Sequence, residues 1–133
     1  MFSRMLCRLF FSVGAMSAMR AHSQACVPDE ACGALLGRGE RITEVVPLIN
    51  SAPQPRIEFL IDPRALLETE RAAERRGLEV IGYFHSHPAS SARPSARDLA
   101  EAVPGSIAVI VADDEVTAWR ARESGFEPLE LAT

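Results

Sequence analysis

Residues 78–88 read LEVIGYFHSHP, a strand-like apolar run that ends in two histidines and a proline. Short apolar runs rich in β-branched and aromatic residues are typical of buried strands. Side chains two positions apart in an extended segment point to the same side, so His85 and His87 can reach one metal ion. The segment therefore predicts a strand whose end presents two imidazoles together.

A carboxylate follows the histidines within reach of a chain that folds back. Pro88 cannot continue strand pairing, and the short loop 89–94 leads to a predicted helix that begins at Ser95 and holds Asp98 in its first turn. Two imidazoles and one carboxylate leave a fourth position for water on a tetrahedral zinc ion, as in catalytic zinc sites. We therefore expect Asp98 to complete an open zinc site with the two histidines.

Each part of this pattern also has a purely structural interpretation. The spacing Ser95-x-x-Asp98 is that of a capping box, in which Ser95 caps the helix and Asp98 reaches back to the Ser95 amide. A histidine pair at a strand end is often held by hydrogen bonds alone. The metal interpretation is favoured because two of the three histidines stand two apart beside a proline, with a carboxylate nearby. Ser86, between the histidines, points the other way in a strand and is expected to support the backbone.

The rest of the chain alternates predicted strands and helices. Predicted strands cover about residues 6–12, 31–37, 41–49, 56–61, 78–85, 106–112, 116–121 and 126–131. Predicted helices cover about residues 15–24, 63–76 and 95–103, the second of them with Asp62 as N-cap, Pro63 at its first position and Gly77 as terminator. The pattern predicts one α/β domain over residues 1–133, with a mixed, curved β-sheet flanked by helices.

Composition narrows the classes of partner and compartment. The net charge of −4 gives no general attraction to nucleic acid or to an anionic membrane, and no stretch reaches the roughly 20 apolar residues of a membrane helix. Cys7, Cys26 and Cys32 are odd in number and lack CxxC spacing, which favours free thiols in a reducing compartment. The apolar start, residues 1–18, faintly resembles a signal peptide, but Arg8 interrupts it. We expect it to be kept as structure and the protein to be cytoplasmic.

Two separated motifs together resemble the JAMM family of zinc peptidases, also called MPN-plus or Mov34/PAD-1. One is EACGALLG at residues 30–37, and the other is HSHP at residues 85–88 followed by the Ser95-x-x-Asp98 spacing. The likeness covers nearly the whole chain and includes Asn50, residues 59–63 and Gly82. It implies a JAMM/MPN fold, which is similar to that of cytidine deaminases.

The resemblance implies a role for each residue of the predicted site. It makes His85, His87 and Asp98 the ligands of Zn²⁺. It makes Glu30 the general base that takes a proton from the attacking water and delivers it to the leaving amine. It makes Ser95 the hydrogen-bond donor to the tetrahedral oxyanion. Without the histidines, Glu30 would be read as an exposed acid at the start of a strand.

The resemblance also implies a substrate class. Family members cleave peptide or isopeptide bonds at the C-terminal tails of ubiquitin-like proteins, and this short chain is similar to compact prokaryotic members that process ubiquitin-like sulfur-carrier proteins. The expected partner is therefore a ubiquitin-like or sulfur-carrier protein, not nucleic acid or membrane. Two alternatives stay open: a catalytically inactive MPN scaffold, and a RadC-type domain associated with DNA repair, which has a similar histidine motif.

Overall fold

Seven strands form one mixed β-sheet in the computed structural model, which describes residues 8–133. The strands are β1 (Arg8–Phe11), β2 (Cys32–Arg38), β3 (Arg41–Leu48), β4 (Glu79–Ser86), β5 (Ile107–Val111), β6 (Val116–Arg122) and β7 (Gly125–Ala132). They lie in the order β1-β3-β2-β4-β5-β6-β7, and β1 also pairs with β7. The predicted mixed, curved sheet is confirmed, and it closes into a barrel. The start of the first predicted strand, residues 6–7, lies outside the described residues, as does Cys7.

Within residues 8–133, three helices accompany the sheet: α1 (Val13–Cys26), α2 (Pro63–Arg75) and α3 (Ala96–Glu101). The predicted ends of α2 are confirmed, since the Asp62 side chain accepts from the Arg64 amide and Gly77 has a φ of +72°. Helix α3 is shorter than predicted, because Val103 precedes Pro104 and is disfavoured in the helical region. None of the helices in residues 8–133 is long and apolar enough to cross a membrane.

The helices α1 and α2 pack against opposite faces of the sheet. Met19 of α1 belongs to the larger core, together with Phe84 of β4. Ala73 of α2 belongs to a second core on the other face, with Ala34 of β2, and Tyr83 packs against it. Side chains alternate along β4, so His85 shares the face of Tyr83 rather than that of Phe84. The site therefore lies on the α2 face, where that second core ends.

The prediction of a strand at residues 56–61 is wrong, because this segment forms a loop organised by one side chain. The Asn50 Oδ1 atom accepts hydrogen bonds from the amides of Ala52 (3.0 Å) and Leu60 (3.1 Å), and Ser51 N donates to the Leu60 carbonyl. These bonds use backbone groups that a strand would give to a neighbouring strand. The alternation of apolar residues in this segment does not show that the Asn50 side chain competes for its backbone groups.

The pairing of β2 with β4 brings Glu30 to the histidines. The two strands are antiparallel, and Cys32 lies opposite His85. Two residues back from Cys32 is Glu30, and two residues on from His85 is His87, so the same register places Glu30 beside His87. All four residues share a face because they are spaced by two. A distant acid is thus delivered to the end of β4.

Candidate metal centre

Three potential metal ligands converge at the end of β4. The Nε2 atoms of His85 and His87 are 3.2 Å apart, and each is 3.2 Å from Asp98 Oδ2. The two imidazoles leave β4 on one side of the sheet, as predicted, and Asp98 arrives from the first turn of α3. Both histidines are buried, and the carboxylate of Asp98 is 9% exposed. The structure therefore brings together all three residues that the sequence nominated as ligands.

A hydrogen bond at Nδ1 of His87 fixes the tautomer of the neutral ring. His87 Nδ1 lies 2.8 Å from the Ser91 carbonyl oxygen, which can only accept, so Nδ1 carries the proton. The neutral ring then presents an unprotonated Nε2 to His85 and Asp98. Such a bond to the second nitrogen is characteristic of metal-binding histidines. In the neutral ring, the lone pair of His87 Nε2 thus faces the Asp98 carboxylate and His85 Nε2, each 3.2 Å away, which fits a bound cation.

Protonation in the absence of metal follows the same geometry. Burial raises the pKa of Asp98, but hydrogen bonds with His85 and His87 outweigh it and hold this pKa well below its usual range. Burial lowers the pKa of His87, yet hydrogen bonds to Asp98 and Ser91 and nearby negative charge raise it overall. The pocket therefore favours a positive charge, from a proton or a metal ion, beside an ionised carboxylate.

Glu30 supplies a second carboxylate to the same pocket. A carboxylate oxygen of Glu30 and a ring nitrogen from each of His85 and His87 lie within 4.8 Å of one another. Burial raises the pKa of Glu30 to about 7, with His87 opposing the rise and Asp98 adding to it. Its backbone is held on both sides, because Glu30 N donates to the Pro55 carbonyl at 2.7 Å and Glu30 O accepts from Asn50 Nδ2 at 3.0 Å. A group poised near neutrality suits proton transfer.

Ser95 stands at the rim of the pocket and forms the predicted capping box. Its Oγ accepts from the Asp98 amide at 3.0 Å, and its own amide donates to Asp98 Oδ2 at 2.8 Å. Ser95 is exposed, so its hydroxyl proton is available to a ligand. The capping interpretation and a role beside the metal are therefore compatible, because the cap uses the oxygen of this hydroxyl and leaves its proton.

Ser86 and Cys32 lie next to the candidate metal ligands. Ser86 Oγ accepts from the Ala31 amide at 2.7 Å, so Ser86 supports the backbone beside Glu30 as expected. Cys32 is fully buried next to the site, and its thiol contacts the Leu48 carbonyl. Cys26 and Cys32 are both free thiols.

Residues that support the cluster from the loop 50–61 were not predicted in that role. The Phe59 ring stacks on the His85 imidazole, with centroids 4.5 Å apart and planes at 19°. Glu58 accepts from Arg97 at 2.9 Å, which links this loop to α3. No local pattern identifies these contacts, because residues 58 and 59 meet the site only after the loop folds around Asn50.

The sequence of the chain matches the family described as "Prokaryotic homologs of the JAB domain" over residues 12–122. A probable TtuB-protein conjugate cleaving protease of Thermus thermophilus is 42% identical over 94 residues, which are 71% of this chain and 63% of that protein. A desampylase of Haloferax volcanii is 31% identical, over 94% of this chain and 96% of that protein.

A solved structure has the same architecture. The solution structure of a protein from Desulfitobacterium hafniense aligns with a TM-score of 0.84 and 30% sequence identity, and the alignment covers 93% of this chain and 91% of that one.

Proposed function

The chain belongs to the family of prokaryotic homologs of the JAB domain, and from this premise we propose that it is a zinc-dependent peptidase. Its proposed reaction is hydrolysis of an amide bond, peptide or isopeptide, at the C-terminal tail of a ubiquitin-like or sulfur-carrier protein. The observation that carries the proposal is the convergence of Glu30 with His85, His87 and Asp98, from three separate parts of the chain, in one buried pocket.

The spacing of the three nominated ligands supports zinc. Tetrahedral zinc binds imidazole nitrogen at about 2.0–2.1 Å and carboxylate oxygen at about 2.0–2.2 Å, which separates neighbouring ligand atoms by about 3.3–3.5 Å. The three separations here are each 3.2 Å. His85, His87 and Asp98 would hold the ion, and the tautomer of His87 already suits it. Zinc bound there supplies Lewis acidity, which makes water acidic enough to attack near neutral pH and polarises the amide carbonyl.

Glu30 is the proposed general base and acid. Its carboxylate takes a proton from the attacking water as the bond to the carbonyl carbon forms, and it delivers that proton to the amide nitrogen as the C–N bond breaks. Both transfers need a carboxyl group whose pKa is near the working pH, and burial raises the pKa of Glu30 to about 7 in the metal-free protein. The bonds from Glu30 to Pro55 and Asn50 hold its backbone, so its carboxylate can serve both steps from one position.

Ser95 is the proposed donor to the oxyanion that forms on the carbonyl oxygen. Its hydroxyl is exposed and anchored through its oxygen at the N-terminus of α3, next to Asp98. Loss of one such donor typically costs about 2.7–4 kcal/mol of transition-state stabilisation. The Ser95→Ala variant should therefore lose roughly 10²–10³-fold in kcat while it still binds zinc.

The substrate class is supported by the relatives. One is named for cleavage of TtuB-protein conjugates and another is named a desampylase. We propose that this chain likewise acts on the tail of a small ubiquitin-like protein. A cytoplasmic location accords with the two free thiols, Cys26 and Cys32, since disulfides are rare in reducing compartments.

The test is a cleavage assay with zinc-loaded protein. The substrate is a ubiquitin-like sulfur-carrier protein that ends in diglycine and is extended by a short peptide, or joined to a lysine side chain, with products identified by mass spectrometry. The wild-type chain should bind about one zinc ion and release the carrier with a free terminal diglycine. Glu30→Gln should retain the zinc and the fold and lose roughly 10²–10⁴-fold in rate.

The matched control is Asp29→Asn, which removes a carboxylate charge one position from Glu30 and should leave the rate unchanged. Failure of the reconstituted wild-type chain to bind zinc would favour the inactive scaffold. Undiminished cleavage by zinc-loaded Glu30→Gln would remove Glu30 from the mechanism.

A further inference from the structure

The helix that carries Asp98 and Ser95 has no core of its own. None of the residues of α3 (Ala96–Glu101) is buried, whereas a helix of a globular protein usually holds its place by burying an apolar face. One side-chain link from α3 is the ion pair of Arg97 with Glu58, and half of the Arg97 side chain is exposed. The Glu58 side chain is 15% exposed, so this pair is partly exposed, and ion pairs with an exposed partner usually contribute little to stability. Something else must place Asp98 within 3.2 Å of the histidines.

The loop before α3 is anchored at Ala92. This alanine is fully buried in a small cluster with Ile110 and Ala112, against which Trp119 packs. Its carbonyl oxygen accepts a hydrogen bond from the hydroxyl of Thr117 on β6. The loop between the histidines and α3 is thus tied to the outer face of β5 and β6 by a buried methyl group and one hydrogen bond.

The direction of the Thr117 hydroxyl is set by a neighbour. Trp119 Nε1 donates to Thr117 Oγ1 at 2.8 Å, and an indole N–H can only donate. The Thr117 oxygen therefore accepts from Trp119, and its single proton goes to the Ala92 carbonyl. The result is a directed chain of bonds from Trp119 through Thr117 to Ala92.

The peptide group that joins Ser91 to Ala92 is hydrogen-bonded to His87, one of the candidate metal ligands. Ser91 is bonded directly to Ala92, and the Ser91 carbonyl accepts the Nδ1 proton of His87 at 2.8 Å. Holding the Ala92 carbonyl and side chain constrains the peptide plane that contains the Ser91 carbonyl. That carbonyl in turn selects the His87 tautomer whose Nε2 faces the cluster.

We propose that Thr117 is a positioning residue for the metal centre. It acts through Ala92 on the Ser91 carbonyl, and so on the tautomer of His87 and on the approach of α3 with Asp98. This inference rests on the proposed function for the identity of the ion. The hydrogen-bond chain from Trp119 to His87 is the observation that carries it.

The test measures zinc affinity by competition with a chromogenic chelator, without any substrate. Thr117→Val removes the hydroxyl at nearly constant volume and should weaken zinc binding by about tenfold, the lower range for groups that orient a metal ligand. Thr117→Ser keeps the hydroxyl and should restore affinity to within about twofold of wild type. The matched control is Thr43→Val, the same change at an exposed strand threonine of β3, which should bind zinc as the wild type does.

A second readout is the ¹⁵N NMR spectrum of the His87 imidazole in metal-free protein. It is recorded at a pH at which the ring is neutral. In metal-free protein Asp98 competes for a proton on Nε2, so we expect the fraction of the Nδ1–H tautomer to be lower in Thr117→Val than in the wild type. Should Thr117→Val fail to fold, Trp119→Phe removes the indole N–H that donates to Thr117, together with part of the packing on the Ala92 cluster, and should weaken zinc binding in the same direction.

The inference is overturned if both the zinc affinity and the His87 tautomer are unchanged in Thr117→Val. If Thr117→Val does not fold, the same result in Trp119→Phe overturns it. A wild-type chain that binds no zinc would instead count against the proposed function. The tautomer measurement still tests the inference in that case, because it needs no metal.

Discussion

Replacement of Asn50 tests whether one amide organises the loop that borders the metal centre. Its nitrogen donates to two carbonyls at 3.0 Å and contacts a third at 3.4 Å, while its oxygen accepts from amides at 3.0 and 3.1 Å. The partners are the carbonyls of Glu30, Glu58 and Pro55 and the amides of Ala52 and Leu60. The Pro55 carbonyl also accepts from the Glu30 amide and keeps that bond when Asn50 is replaced. The other four hydrogen bonds of Asn50 are then lost.

The expected cost follows from those four bonds. Each contributes about 0.5–1.5 kcal/mol net, and the half-buried position lets water replace some of them. We therefore expect Asn50→Ala to lower the free energy of unfolding by about 3 kcal/mol. With an unfolding entropy of about 2.1 cal/mol/K per residue, this lowers Tm by roughly 10 °C.

Asn50→Asp is the sharper variant because it has the same shape. It keeps the two acceptor bonds but points a carboxylate oxygen at carbonyl oxygens that need a donor. The loss of stability should therefore equal or exceed that of Asn50→Ala. If the side chain merely filled space, Asn50→Asp would be harmless.

Urea unfolding followed by circular dichroism measures both variants. The control is Gln54→Ala in the same loop, where no hydrogen bond of the side chain is present in the described part of the chain, and it should change stability by less than about 0.5 kcal/mol. The reasoning is refuted if Asn50→Asp lies within about 1 kcal/mol of wild type, or if Asn50→Ala and Gln54→Ala cost the same.

Three further predictions concern the sheet and the metal. A Cβ atom on Gly37 would lie 1.9 Å from the Arg41 carbonyl oxygen, so Gly37→Ala should lower the free energy of unfolding in urea by about 3 kcal/mol or more. The control is Gly14→Ala, because a Cβ atom there meets nothing within 4 Å. It should be neutral or stabilising by up to about 1 kcal/mol. Phe59→Leu removes the stack on His85, worth about 1 kcal/mol, and should weaken zinc binding about fivefold in chelator competition; unchanged affinity would contradict this role. Zinc at a hundredfold its dissociation constant should raise the free energy of unfolding by about 2.7 kcal/mol, and equal melting temperatures with zinc and with EDTA would speak against a bound ion.

Helix α2 shows which parts of the fold are predictable from sequence. Its N-cap, first-turn proline and terminal glycine, at Asp62, Pro63 and Gly77, act within a few residues of one another, and all three are found where expected. The segment 56–61 shows the opposite case. Its alternating pattern predicted a strand, but Asn50 lies outside the pattern and captures the backbone groups that a strand would use.

The candidate site divides in the same way. The common side of His85 and His87 follows from strand geometry, and the first-turn position of Asp98 follows from its distance to Ser95. The supporting contacts from Phe59 and Thr117 have no local signal, because each is made with a segment far away in the chain.

Local sequence patterns are sufficient to predict the three helices, the strands other than the wrongly predicted one at residues 56–61, the two imidazoles on one strand face and the motifs that identify the family. The folded chain adds three features: the sheet closes, the β2–β4 register puts Glu30 beside His87, and the loops around Asn50 and Ala92 hold the candidate ligands in place. The reason is physical: helix caps and strand alternation depend on neighbours in sequence, whereas register, closure and loop anchoring depend on many weak contacts between distant segments that form together.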